Sequence, residues 1–448
     1  MVMSTLPQRP DRDQAGANWI LPPFTTMSAG LFSAGTLARC FVIGLVLQPR
    51  QVPAQEALRN SLAGEAAAES QRIQEESLPY TFKSGDFRLL VEPMLDLRWN
   101  DNVNLTKDNP EDDYILRPTV EFDANYPLTD RNLFRLNVTC GYNYYVNHSS
   151  LSRPYLATGS QLAFDFFVKD WRFNLHDSFS YTQDSASEPA VSGTGNYGTF
   201  QNTAGVSGNW NWGDVTSTLS YDHQNTLATS SQFNNINNAS ELFVGRAGLR
   251  VRRWATIGVE GTGTLLSYER NALNDSTGWS AGVYVELTPD SYFSVKPRFG
   301  YTVNYYHQTS QFTQASDQSS WYGDLTVSHK ATRFLAYSLS AGHELRPGIE
   351  SDAIEDSYVR PSLSWSVIKG VTIGTSFSYE RGSQAGGQLA TTFGQNYDYY
   401  NAGFDVSFSP LKSLKVGLYY RWTMRSSEVA SGDYNQNVAG VTFNYALP

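Results

Sequence analysis

Residues 134–144 read FRLNVTCGYNY, an unbroken alternation of apolar and polar side chains. Successive side chains of a β-strand point to opposite faces. Phe134, Leu136, Val138, Cys140, Tyr142 and Tyr144 therefore share one face, and Arg135, Asn137, Thr139 and Asn143 share the other. The same period of two runs upstream. Phe87, Leu89, Val91, Leu95, Leu97 and Trp99 oppose Arg88, Glu92, Asp96 and Arg98, and Leu116, Val120, Phe122, Ala124 and Tyr126 oppose Arg117, Thr119, Glu121, Asp123 and Asn125. Downstream it persists through Leu414, Val416, Leu418, Tyr420 and Trp422 to Val441, Phe443 and Tyr445. Read this way, the chain holds about eighteen strands of roughly 10–14 residues, with 16–18 as the range.

The connections alternate in length. Tight turns fall at Lys169 and Asp170, Gly213 and Asp214, Arg253 and Trp254, Pro289 and Asp290, Ala331 and Thr332, Lys369 and Gly370, and Leu411 and Lys412, with a longer one over residues 127–132. Between them lie polar stretches, among them residues 100–113, 184–199, 226–239 and 382–395, which their Asn, Ser, Gly and Asp content marks as exposed loops. Eight short turns and nine long loops are the arrangement of an antiparallel up-and-down transmembrane β-barrel, with both ends of the barrel on the short-turn, periplasmic side. Trp171, Trp212, Trp254 and Trp365 sit near short turns, and Trp99, Trp279, Trp321 and Trp422 sit nearer the loops. Two such rings are expected where a barrel meets the two membrane interfaces.

Composition agrees. Of the 448 residues only 17% are charged, against about 25% in soluble domains. Mean hydropathy is −0.39, which excludes a bundle of membrane helices, since each would need about 20 apolar residues. The 27 Tyr, 24 Phe and 10 Trp argue against disorder. A net charge of −10 argues against nucleic acid as a partner. With Cys40 in the N-terminal segment, Cys140 stands alone, so a disulfide framework is not expected.

Residues 1–54 read as a secretory signal. An apolar run at 40–47 follows Arg39, and Val52, Pro53 and Ala54 form a small-residue cleavage site. A start at Met27 gives a signal of ordinary length. Residues 55–86 form an Ala-, Glu- and Arg-rich periplasmic leader, helical or flexible, that either plugs the barrel or docks a periplasmic protein. The barrel itself is assigned to residues 87–448.

The opening strand and its continuation, Trp99, Asn100, Asp101, Asn102, Val103 and Asn104, resemble the first strand and loop of the beta-barrel porin 2 family. The resemblance runs from about Phe87 to the end. It implies a large outer-membrane barrel of a kind found in some exopolysaccharide export loci. Where many such barrels end in an aromatic residue read by the assembly machinery, this sequence ends in Pro448.

With apolar side chains facing lipid, the polar rows face a lumen that stays aqueous unless something fills it. Arg88, Glu92, Arg98, Arg117, Glu121, Arg135, Arg246, Arg250, Lys296 and Arg298 are the candidates to line it. They form either a selectivity surface or cross-strand pairs that stiffen the wall. The expected function is a porin-like channel for passive passage of small hydrophilic solutes, with outer-membrane lipid and the barrel assembly machinery as partners. The alternatives are an export barrel for exopolysaccharide working with periplasmic proteins, and a non-conducting structural or adhesive barrel. No enzyme activity, cofactor or metal is expected. The six histidines are scattered, no nucleophile elbow is present, and the acidic residues of loop 100–113 follow no calcium-loop spacing.

Overall fold

The computed structural model describes residues 80–129, 131–388 and 396–447. The signal and most of the leader lie outside them. A short strand, β1 (Phe82–Ser84), precedes the barrel, whose strands are β2 (Phe87–Asn100), β3 (Asp113–Pro127), β4 (Leu133–Tyr145), β5 (Arg153–Val168), β6 (Trp171–Thr182), β7 (Thr199–Trp212), β8 (Val215–Ala228), β9 (Asn238–Arg252), β10 (Ala255–Tyr268), β11 (Ser276–Leu287), β12 (Phe293–Tyr306), β13 (Gln318–His329), β14 (Leu335–Pro347), β15 (Ser351–Ile368), β16 (Val371–Gln388), β17 (Asn396–Leu411), β18 (Leu414–Ser427) and β19 (Tyr434–Tyr445). Each of these pairs antiparallel with the next, and β19 pairs with β2, so eighteen strands close into a barrel. Closure leaves no unpaired strand edge.

The turn assignments fix the strand ends. Residues 213–214 and 369–370 form two-residue turns, and Gly213 and Gly370 take φ +60° and +82° there. That conformation suits hairpin turns and carries little strain without a Cβ. At the opposite end the strands reach further than their composition suggests. β8 continues to Ala228, β9 begins at Asn238, and β16 runs to Gln388. The β14–β15 connection, residues 348–350, is a short turn rather than a long loop. Ladder pairing keeps polar, Ser- and Asn-rich sequence extended where composition alone marks it as loop.

The outward face carries apolar side chains, with Leu219, Val259, Phe299, Phe404 and Leu418 all exposed. Near the short turns, Trp171 stacks on Trp210 at 5.7 Å and Trp210 on Trp212 at 5.7 Å. Toward the loops a repeated contact marks the other border. Tyr221 donates to Glu241 (2.7 Å), Tyr301 to Ser319 (3.0 Å), Tyr379 to Asp398 (2.7 Å) and Tyr420 to Asn437 (2.6 Å). Each hydroxyl reaches the next strand two positions nearer the loops, keeping its ring beside apolar neighbours and its polar tip beside polar ones. From Val371 to Tyr379, β16 spans nine residues, the length of a tilted strand crossing a hydrocarbon layer, about 9–11 residues.

Two ladders are short. The closing β19–β2 pair is in register from Val438 to Asn444. Beyond it one more backbone bond, Asp101 N–H to Asn437 O at 3.1 Å, is joined by side chains: Asp101 accepts from the backbone and side chain of Asn437, both at 2.6 Å, and the Asn102 amide donates to Asn435 O at 2.8 Å. Asp101 and Asn102, directly after β2, thus stitch the barrel's closing seam. β13 and β14 pair only over Gly323–His329 of β13. Above that ladder the wall is bridged by Ser320, His343 and Glu355, with Trp321 stacked on His343 at 4.0 Å.

Candidate functional site: a narrowed, charged bore

Alternation turns the polar rows inward, and most of their charges meet partners on neighbouring strands. Arg135 pairs with Asp165 at 2.7 Å, and Asp165 also takes Arg172 at 3.3 Å and the Asn174 amide at 2.9 Å. His176 meets Asp222 at 2.6 Å. Further round, Arg246 pairs with Glu260 (3.3 Å), while Arg298 lies 3.7 Å from both Glu260 and Asp324. Arg360 pairs with Glu380 at 3.0 Å. Arg98 pairs with Asp96 at 3.2 Å, and Tyr419 donates to Asp96 at 2.8 Å. Arg117 bonds Asn143 and lies over the Tyr155 ring, 4.2 Å from its centroid.

The remaining lining candidates sit apart from this belt. Arg88 is half-buried on β2, opposite Asn125. Glu92 and Glu121 stand directly opposite each other in the β2–β3 register. Arg250 and Lys296 are exposed toward the short turns. Of the eight tryptophans assigned to the interfaces, Trp99, Trp212, Trp254, Trp279, Trp321 and Trp365 are exposed, and Trp171 and Trp422 are half-buried.

A second inward feature escaped the sequence reading. Tyr284, Tyr322, Tyr358, Tyr397 and Tyr419 each lie over a glycine directly paired with them, namely Gly258, Gly300, Gly342, Gly382 and Gly440. A Cβ on Gly258 or Gly300 would come within 2.4 Å of the facing ring. Glycine is what lets the rings lie flat on the wall. Their hydroxyls join the charges: Tyr322 donates to Glu260 at 3.1 Å, Tyr358 to Asp324 at 3.0 Å and Tyr397 to Asp356 at 3.2 Å. The signal was present in the phase, since Tyr284, Tyr322 and Tyr358 alternate in step with Glu286, Asp324 and Arg360.

The loop between β6 and β7, residues 183–198, overturns one expectation. Its composition predicts an exposed loop. Instead Ser185, Ala186, Ala190, Val191, Ser192 and Tyr197 are all buried. β15 is nine strands from β6 in the ring of eighteen, and the loop reaches that far wall. Glu188 pairs with Arg346 of β14 at 3.1 Å, Tyr399 of β17 donates to Ala186 O at 2.8 Å, and Arg425 of β18 donates to Pro189 O at 2.8 Å. Ala190, Val191 and Tyr197 join one apolar cluster with Phe233, Ile236, Ile349, Ile354 and Tyr399. Burying such side chains contributes about 1.5–3 kcal/mol for each large one, enough to hold a Ser- and Gly-rich segment across the bore. Composition could not show this, because the partners lie on strands more than 150 residues away in the chain.

Among the described residues, no group of three or more His, Cys, Asp or Glu is placed to hold a metal ion. In loop 101–112, Asp101 is engaged at the seam.

No family model matches the chain, and no curated protein matches it. Solved structures resemble it at low identity. Pseudomonas aeruginosa OccK2 (OpdF) in complex with glucuronate is 8% identical, with a TM-score of 0.47 over 81% of this chain and 99% of that one. Acinetobacter baumannii OccAB3 is 9% identical, with a TM-score of 0.43 over 80% and 98%. Pseudomonas aeruginosa OpdL is 10% identical, with a TM-score of 0.45 over 82% and 100%. Likenesses this distant carry no argument about solute; the fold rests on the strand pairing described above.

Proposed function

We propose that this chain is an outer-membrane channel for the passive passage of small hydrophilic solutes. The observation that carries the reading is the loop 183–198 folded across a closed eighteen-strand barrel whose inner wall is polar and whose outer wall is an apolar band. Barrels of 16–18 strands enclose an aqueous channel, and an inturned loop narrows it to molecular size. The paired charges set a mixed-sign field in the constriction. Most of them are committed to cross-strand partners, so their first role is to hold the wall, and solutes meet the field of the pairs.

On this reading the barrel sits in outer-membrane lipid, with loops outside and short turns in the periplasm, and depends on the assembly machinery for insertion. The belt of ion pairs and flat tyrosines is a static lining, not a catalytic constellation. Reconstitution into planar bilayers tests the proposal. Stepwise single-channel currents in KCl are the expected result. Folded protein that gives no steps at any voltage would refute passage of solutes.

A further inference from the structure

Beside the inturned loop a cavity opens against the inner faces of β8–β13. Its lining differs from the charged belt. Gln224, Ser240, Leu266 and Ser276 form one register row across β8, β9, β10 and β11. Thr226 lies one inward step nearer the loops, and Thr264 one step further from them. Among the described residues, the side chains of Gln224, Thr226, Ser240, Thr264 and Ser276 make no hydrogen bond to protein. The Tyr268 hydroxyl, on a residue 6% exposed, is buried without a partner. Buried polar groups nearly always have partners, and each exception calls for one. The Tyr268 hydroxyl is such an exception, and the side chains of Gln224, Thr226, Ser240, Thr264 and Ser276 line the same space, where their polar groups stay open to a ligand.

Leu242, Leu266 and Tyr306 supply apolar surface between these groups. The two charged residues on the border, Glu188 and Arg346, are bound to each other at 3.1 Å. Arg346 is further matched by Asp356 and by Glu380 at 3.8 Å. An anion entering this space meets carboxylates around the bordering guanidinium. Uncharged donors and acceptors interleaved with apolar patches match a pyranose ring, which has C–H faces and a rim of hydroxyls.

Building on the channel reading, we infer that this cavity is a binding subsite for a neutral sugar of one or two rings. Three inter-strand steps from β8 to β11 span about 14 Å, room for a disaccharide. The site holds the sugar against one wall beside the constriction, and acidic sugars are disfavoured there.

Calorimetric titration of the folded protein in detergent with maltose and with sodium glucuronate, paired with KCl conductance in bilayers, tests this. Maltose is expected to bind saturably and to lower the current, with glucuronate at least about tenfold weaker. Thr264→Val and Ser276→Ala are each expected to weaken maltose binding about tenfold, the loss of one hydrogen bond, with KCl conductance unchanged. If Thr264→Val fails the heat-modifiable gel shift that reports a folded barrel, Gln224→Leu on β8 replaces it. KCl steps without maltose binding would overturn the subsite and leave the channel standing. Saturable maltose binding without KCl steps would overturn the channel and leave the subsite. Equal affinity for glucuronate, or maltose binding indifferent to the substitutions, would overturn the assignment of a neutral ligand to this cavity.

Discussion

Arg346 shows how a single inward residue couples wall and loop. It is 1% exposed and holds Asp356, Glu380, the Tyr397 hydroxyl and Glu188 of the crossing loop. Removing a partner from a buried charge costs more than the net value of the pair, because the remaining charge stays desolvated. Glu188 is the one partner in this group that belongs to the loop. Glu188→Gln keeps the size and removes the charge, and it should weaken the anchor by about 1–3 kcal/mol. The expected readout is noisier open-channel current with a higher mean conductance in bilayers; unchanged current would separate this ion pair from loop position. At Gly300, alanine would force its Cβ against the Tyr322 ring. Overpacking of this kind costs about 1–3 kcal/mol, to be seen as a lower urea midpoint for unfolding from detergent, while Gly213→Ala in a turn with open space around it should leave the Tyr322 contact untouched. Face assignment was legible at this scale, since period-two alternation decides it. The tyrosine–glycine pairs were not, because which glycine faces which ring depends on the register between two strands.

At the scale of elements, turns and strands were readable and loops were not. A two-residue turn is decided by adjacent residues, so the assignments at 169–170, 213–214 and 253–254 follow from local chemistry. The fate of residues 183–198 is decided by Arg346, Tyr399 and Arg425 on the far wall. No local rule connects them. Similarly, β15 and β16 carry 18 residues each through sequence whose polarity suits a loop. Pairing with each other compensates for that polarity. Replacing residues 186–195 by a short Gly-Ser linker removes the crossing segment without touching a strand. Conductance should then rise roughly twofold or more with the heat-modifiable gel shift retained. Retained wild-type conductance would show that the narrow point lies elsewhere, in the tyrosine-lined wall.

For the molecule as a whole, the outer apolar band and the inner charged belt describe one sheet seen from two sides. The sheet is held by ladders of unequal length, and the inequality has a consequence for how the barrel moves. Adjacent ladders such as β12–β13 run the length of their strands, whereas β13 and β14 part above Gly323. Amides of β13 and β14 beyond that point hold fewer backbone partners, so deuterium should enter them first among the strands, as expected where local opening is least costly. Mass-resolved exchange on detergent-folded protein would locate it: faster uptake over residues 318–322 and 344–347 than over the matching levels of β10 and β11, and uniform uptake would deny it. The other short ladder, the β19–β2 seam, carries a further backbone bond beyond its register, Asp101 N–H to Asn437 O at 3.1 Å. The β13–β14 gap, by contrast, is spanned by side chains, so breathing of this barrel would be lopsided, concentrated on the side where Trp321 and His343 lie ring to ring.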